Sequence, residues 1–293
     1  MTTALVGESA VRSGPSVAIA FGGGGARGIA HINVIEALDE MGIRPVAISG
    51  SSIGALIGAG MASGMSGRDI RAYCNATLAN RVQIAGRMWK TRPTSFSEIL
   101  AEGIRFTQFN IEKILKAFLP EQLPATFEEL EIPLTVIATD FYGQQEAILE
   151  SGDLVSALAA SAAIPALFRP IRRDGRILID GGIYNPVPFE LLEDKADIVI
   201  AIDVVGGPLG DDSKMPSSID AMFGATQLLM QSIIATKLKR ARPVILLRPQ
   251  VSHFRVLDFM RVEQILRESA GVKDELKHAL DAALTFSEGR KSA

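Results

Sequence analysis

The 293-residue chain has one cysteine, Cys74, which rules out an internal disulfide framework and any cysteine-rich zinc site. Such sparing use of cysteine suits the reducing cytoplasm. Histidine is also scarce. Only His31, His253 and His278 could serve as an imidazole base. There is no basic excess, since 30 Lys and Arg face 33 Asp and Glu for a net charge of −3. That balance argues against a nucleic-acid partner, because such binders carry a marked positive surplus. Residues 1–15 lack the apolar stretch of a secretory leader and read as a flexible tail. No internal repeat or low-complexity tract interrupts the rest.

One long run is uncharged, Pro45 to Gly67, and it has the length of a bilayer span. Its Gly50, Gly54 and Gly58 even follow the four-residue spacing of packed membrane helices. Its glycine and serine content fits better a buried strand, a sharp turn and a glycine-rich helix lying close on a sheet. The composition, 47% apolar and 22% charged, is that of a globular chain with a large core.

Val17 to Phe21 is a continuous apolar run, as expected of a strand covered on both faces. A helix is expected from about Gly28 to Met41, with Ile32, Ile35 and Leu38 on one stripe and Gly42 as its stop. A second short strand, Arg44 to Ser49, leads directly into another helix after Ser52. This βαβα opening favours a parallel sheet. Residues 66 to 131 read as a mainly helical insertion, broken at Arg92-Pro93 and Leu119-Pro120. Strands resume at Leu134 to Thr139 and near Glu146 to Leu149, and a helix follows over Asp153 to Ala163. Ile171 to Ile179 reads as a hairpin turning at Asp174-Gly175. Ile198 to Ile202 and Val244 to Leu247 are further buried strands. Two long helices are expected over Ser217 to Arg240 and Asp258 to Phe286.

The chemistry concentrates in two segments. Gly22-Gly23-Gly24-Gly25-Ala26-Arg27-Gly28 follows the first strand, and Gly50-Ser51-Ser52-Ile53-Gly54 follows the second. The first can aim bare backbone N–H groups at an anion, aided by the field of the helix that follows it. The second matches GxSxG, which sets a serine hydroxyl on a sharp strand-to-helix turn. Together they suggest an oxyanion site and a nucleophile at one end of a sheet, the core of an acyl-transfer enzyme.

Gly23, Gly25 and Gly28 also fit a dinucleotide fingerprint, but the acidic residue expected after strand two is replaced by the serine turn. Arg27 can brace the loop, meet an anionic group or pair with a surface carboxylate. For a base, His253 leaves a Ser-His-Asp triad open. Asp140, Asp180 and Asp203 each end an apolar run, where parallel-sheet enzymes place functional groups. Asp180 stands apart because Gly181-Gly182 follows it and leaves room around its carboxylate. A free carboxylate, with a pKa near 3.9, is a weak base toward serine, and burial would strengthen it.

These residues resemble the patatin-like phospholipases. FGGGGARGIAHINVIEAL looks like that family's oxyanion loop and first helix, and GSSIG like its nucleophile elbow. Ala160-Ser161-Ala162-Ala163-Ile164-Pro165 resembles the segment preceding its catalytic acid. Asp180-Gly181-Gly182, followed by Asn185-Pro186-Val187-Pro188, resembles the acid block. The likeness runs from Val17 to Val205. It implies a three-layer α/β/α sandwich around a mainly parallel sheet, with Ser52 as nucleophile and Asp180 as its partner. The backbone of Gly23, Gly24 and Gly25 would form the oxyanion hole, with Arg27 nearby.

The resemblance further implies hydrolysis of lipid esters, phospholipids or lysophospholipids among them, without calcium or another cofactor. A catalytic domain is expected over 16–205, with a mainly helical part, 206–293, packed on it, whose role the resemblance leaves open. Two alternatives remain, an acyltransferase using the same acyl-enzyme and a silent lipid-binding protein. Met88, Trp89, Phe96, Phe106 and Phe109 are candidates for an acyl channel. Arg169, Arg172, Arg173 and Arg176, and Lys237, Lys239, Arg240 and Arg242, are candidates for peripheral membrane contact.

Overall fold

Four apolar runs become strands buried along their whole length: β1 (Val17–Phe21), β2 (Ala47–Ser51), β3 (Leu134–Asp140) and β7 (Ile198–Ile202). With both faces covered, they need no polar alternation, and their sequences show none. The computed structural model describes residues 14–78, 109–208, 210, 213, 215–242 and 244–291. Met88, Trp89, Phe96 and Phe106 lie outside the described residues.

The other strands are β4 (Gln145–Leu149), β5 (Ile171–Arg173), β6 (Arg176–Asp180) and β8 (Ile245–Leu247). Hydrogen-bonded neighbours run β5-β6-β3-β2-β1-β7-β8, and β4 also pairs with β3. The β3-β2-β1-β7-β8 block is parallel, whereas β4, β5 and β6 join antiparallel. The 171–179 hairpin therefore forms as the sequence suggests, turning at Asp174 and Gly175.

The helices are α1 (His31–Glu40), α2 (Ile53–Ala62), α3 (Gly67–Leu78), α4 (Ile111–Phe118), α5 (Leu154–Ser161), α6 (Ser218–Leu238), α7 (Val262–Glu268) and α8 (Val272–Lys291). Residues 28–30, expected to begin the first helix, belong instead to a separate 3-10 turn over Gly25–Ala30. The helix expected over 258–286 breaks at Ser269. There the Asn33 amide donates to Leu266 O and to Ser269 Oγ, both at 2.8 Å, and Gly271 separates α7 from α8.

The two faces of the sheet are covered unequally. Val17, Ile19, Phe21, Ile48, Val136 and Ile200 point to one face, under α1, α2, α5, α7 and α8. Ala18, Ala20, Ala47, Val199 and Ala201 point to the other. Small side chains on that face let a 3-10 turn (Phe189–Leu192) and α6 approach closely through Phe189, Leu192 and Ile234. The result is a three-layer α/β/α sandwich with one thick and one thin helical layer. Residues 206–293 add β8 to the same sheet and contribute helices to both layers.

Candidate active site

Ser52 sits between the end of β2 and the start of α2, with φ 55° and ψ −126°. A non-glycine residue in that conformation is strained and is held there by its surroundings. Part of the hold is steric. A Cβ on Gly54 would lie 2.1 Å from Phe21 O, so only glycine lets α2 begin this close to β1. Gly50 and Gly28 serve the same packing. A Cβ would meet the Ala55 backbone at 2.7 Å from Gly50, and Ile53 Cγ2 at 2.3 Å from Gly28. A further hold is polar: Ser52 N–H donates to the buried Ser161 Oγ at 2.8 Å, at the end of α5.

Sheet register carries Asp180 to the serine. Ala138 pairs with both Ala147 and Asp180, and Val136 with both Gly50 and Leu149. A strand has two edges, so β4 occupies one edge of β3 while β2 and β6 share the other. Ser51 lies opposite Ile137, and Asp180 opposite the next residue, Ala138. Where β2 turns away at Ser52, β6 takes its place and delivers the carboxylate.

Ser52 Oγ donates to Asp180 Oδ2 at 2.6 Å, and Gly182 N–H donates to Asp180 Oδ1 at 2.8 Å. Both side chains are buried. Burial pushes the Asp180 carboxyl up to about 6, against the two hydrogen bonds that favour its charged form. Gly181 lets β6 turn away against β3, where a Cβ would be 2.0 Å from Ile137 O.

The glycine loop lies beside this pair. Gly23 N–H donates to Pro186 O at 2.9 Å, so it is not a free donor as the sequence suggests. Gly24 and Gly25 line the cavity at Ser52. Their N–H groups have no hydrogen-bond partner among the described residues. Both positions are crowded. A Cβ would lie 2.3 Å from Val204 O at Gly24 and 2.3 Å from Val256 O at Gly25, where φ is also +61°. His31 braces the loop: its Nε2 is 2.8 Å from Gly22 O, and burial pushes its pKa down to about 4. The ring is therefore neutral at pH 7 and donates through Nε2–H.

Among the described residues Arg27 meets no surface carboxylate. It is 1% exposed and lines the cavity. Burial lowers its pKa to about 10, partly offset by the charge of Asp203. Its Nη1 is 3.4 Å from Phe254 O. With the Gln227 amide oxygen turned inward, that oxygen accepts from Nη2 and Nη1 at 3.0 and 3.1 Å. Arg27 thus links the glycine loop to α6.

The cavity measures about 110 Å3 and is roofed by Met222, Phe223, Thr226, Gln227 and Met230 of α6, with Ile164 and Pro165 opposite. This roof and the Ser161 contact are not apparent from motifs. Their sequence traces are the uncharged run from Ala221 to Thr236 and the Ala160–Pro165 segment itself.

The other candidates lie elsewhere. His253 pairs with Glu268 at 2.6 Å and does not line the cavity. Asp140 accepts from Gly143 N–H at 2.9 Å, and Asp203 from Val205 N–H at 3.1 Å and Arg248 Nε at 3.0 Å. Arg173 turns inward to Asp153 O at 2.6 Å and Ser151 O at 2.8 Å. Lys237 is no surface charge either: it reaches Glu190, Asn185 and, at 2.8 Å, Val187 O. Phe109 is 47% exposed and forms a bridge with Phe168. Among the described residues, no three His, Cys, Asp or Glu side chains gather as a metal site would require.

The patatin-like phospholipase family model matches residues 19–193, which include the glycine loop, the GxSxG turn and Asp180. An uncharacterised NTE family protein of Mycobacterium tuberculosis is 39% identical over 199 residues, covering 68% of this chain and 51% of that protein. Human patatin-like phospholipase domain-containing protein 6 is 27% identical over 290 residues, covering 87% of this chain and 20% of its own length. The chain thus spans about half or less of these relatives. Among solved structures, human GIVD cytosolic phospholipase A2 aligns with a TM-score of 0.48 at 12% identity, covering 92% of this chain and 60% of that one. On the match across 19–193, the chain belongs to the patatin-like phospholipase family, a family of lipid acyl hydrolases.

Proposed function

We propose that the chain hydrolyses carboxylic esters of phospholipids or lysophospholipids through an acyl-enzyme on Ser52. The observation that carries this reading is the 2.6 Å hydrogen bond from Ser52 Oγ to a buried Asp180 carboxylate. Ser52 Oγ attacks the ester carbonyl carbon and passes its proton to Asp180 Oδ2. The carbonyl oxygen, now negative, accepts from the Gly24 and Gly25 N–H groups. Their field needs no reorganisation, and each such donor contributes about 2.7–4 kcal/mol in serine hydrolases.

As the tetrahedral intermediate collapses, Asp180 returns the proton to the leaving alcohol oxygen, and the acyl group stays on Ser52. Water then gives a proton to Asp180 and attacks the acyl carbon. The fatty acid leaves, and Ser52 regains its proton. An Asp180 pKa near 6 makes it a better base than a free carboxylate while keeping it ionised at pH 7. Ser161 holds the elbow through the Ser52 N–H, and Arg27, facing the same cavity, suits the anionic side of a lipid ester.

Peripheral contact with a membrane completes this reading, because a lipid ester resides at an interface. Among the described residues no helix is long and apolar enough to cross a membrane. The test is fatty-acid release from phosphatidylcholine and lysophosphatidylcholine. Release by the wild type, lost in Ser52→Ala, is expected. Equal release by both proteins would refute the assignment.

A further inference from the structure

Helix α6 runs 21 residues, and the sixteen from Ala221 to Thr236 contain no charged side chain. A helix of that composition is normally buried all round, and a surface helix normally carries charge on its outer face. Yet α6 buries only Gly224, Gln227 and Ile234. Leu228 and Leu229 are 54% and 66% exposed, and Ile219, in its first turn, is 65% exposed. Isolated exposed leucines are ordinary, but a contiguous uncharged face is not. Such a face calls for an apolar partner.

The position of the helix indicates what. Its inner face roofs the Ser52 cavity, and Met222 belongs both to that roof and to the exposed face. Whatever covers α6 therefore lies at the edge of the site. Tyr184, just past Gly182, and Leu257, next to the cavity residue Val256, extend the exposed apolar rim. Phe141 and Tyr142, exposed past the end of β3, follow the strand that pairs with Asp180. Lys237, in the last turn, is turned inward onto Glu190 and Asn185. The exposed charges, Asp220 in the first turn and Lys239 and Arg240 past the last, stand at the two ends of the face and leave its middle uncharged.

We infer that the outer face of α6 and the rim beside it dock on a lipid surface, with Leu228 and Leu229 entering its apolar layer. A second protein seated here would seal the mouth. A lipid surface covers the face and presents the ester to be cleaved. The inference rests on the lipid-hydrolase reading. It adds that docking is driven by apolar burial rather than by attraction to anionic headgroups, so it tolerates salt.

The test uses phosphatidylcholine vesicles and the Ser52→Ala protein, which leaves the vesicles intact, with and without the pair Leu228→Glu and Leu229→Glu. Neither leucine lines the cavity. Co-sedimentation of the parent is expected to persist at about 1 M NaCl and to fall about tenfold or more in the double variant. In the Ser52 background, the same pair is expected to leave turnover of a monomeric short-chain aryl ester within about twofold, showing that fold and site survive. Several results would overturn the docking: no parent binding, equal binding by the variant, binding abolished by salt, or a parent dimer that the two substitutions dissociate. Failure of the hydrolase reading looks different, with vesicle binding as expected but no turnover of the monomeric ester.

Discussion

The two faces of the sheet have different tasks. The thick face packs Ile19, Phe21, Ile48 and Val136 under five helices and holds the fold. The thin face is mostly alanine and serine, and it is bound to the rest by polar contacts to backbone. Ser49 Oγ donates to Pro188 O at 2.9 Å, Ser51 Oγ to Asn185 O at 2.5 Å, and Gly23 N–H to Pro186 O. Those contacts bring the segment after Asp180 against β1 and β2, next to Ser52. Stability resides mainly on one side, and the proposed chemistry at the rim of the other.

The contrast sharpens most under Ser52→Ala. Loss of a serine nucleophile is expected to lower turnover by about four orders of magnitude or more. Urea unfolding should stay near wild type, because φ strain at Ser52 persists with either side chain. Next in size is a core truncation. Phe21→Ala, on the thick face, should cost about 3–5 kcal/mol in urea unfolding. Met230→Ala, in the roof of the thin side, should cost about 1 kcal/mol or less and still alter turnover. Equal costs would erase the division of labour.

Acid titration separates two buried groups of opposite sign. Asp180 has a folded pKa raised to about 6, so the unfolded state binds fewer protons than the native state between about 4 and 6. Its stability penalty is absent below about 4 and fully present above about 6, amounting to roughly 3 kcal/mol. His31 has a folded pKa lowered to about 4. Its contribution is present above about 6.5 and is lost as pH falls toward 4, again by roughly 3 kcal/mol. The two nearly cancel on acidification. Asp180→Asn should therefore melt at a higher temperature than wild type at pH 8, with the advantage vanishing by pH 4. A constant difference across that range would refute the raised carboxyl. For the same reason, kcat/KM should decline below about pH 6 as the base takes its proton.

A positioning effect is expected at Ser161→Ala, which leaves the buried Ser52 N–H without an acceptor. It should cost about 1–3 kcal/mol, and kcat should fall more than KM changes. Restoration of kcat in Ser161→Thr, which returns an acceptor, would separate positioning from simple loss of stability.

Much of this could be read from sequence, because local chemistry dictated it. Glycines that let a backbone approach, a serine at a GxSxG turn and an acid before Gly-Gly each signal their own geometry. What could not be read depends on partners distant in the chain. The sharing of one β3 edge by β2 and β6, which joins Ser52 to Asp180, is a matter of register. The removal of Gly23 from the free donors depends on Pro186, 163 positions away. Arg27 reads equally well as a surface charge until α6 and Phe254 bury it. Helices α7 and α8 read as one because the side chain that separates them, Asn33, belongs to α1.

The proposed reaction depends above all on activation of Ser52 by Asp180. Intact-mass analysis after treatment with a fluorophosphonate probe tests it most directly, on the wild type and on the Ser52→Ala and Asp180→Asn variants. One adduct is expected on the wild type, none on Ser52→Ala, and labelling slowed by about a hundredfold or more in Asp180→Asn. An unmodified wild type, or Asp180→Asn labelled at the wild-type rate, would contradict it.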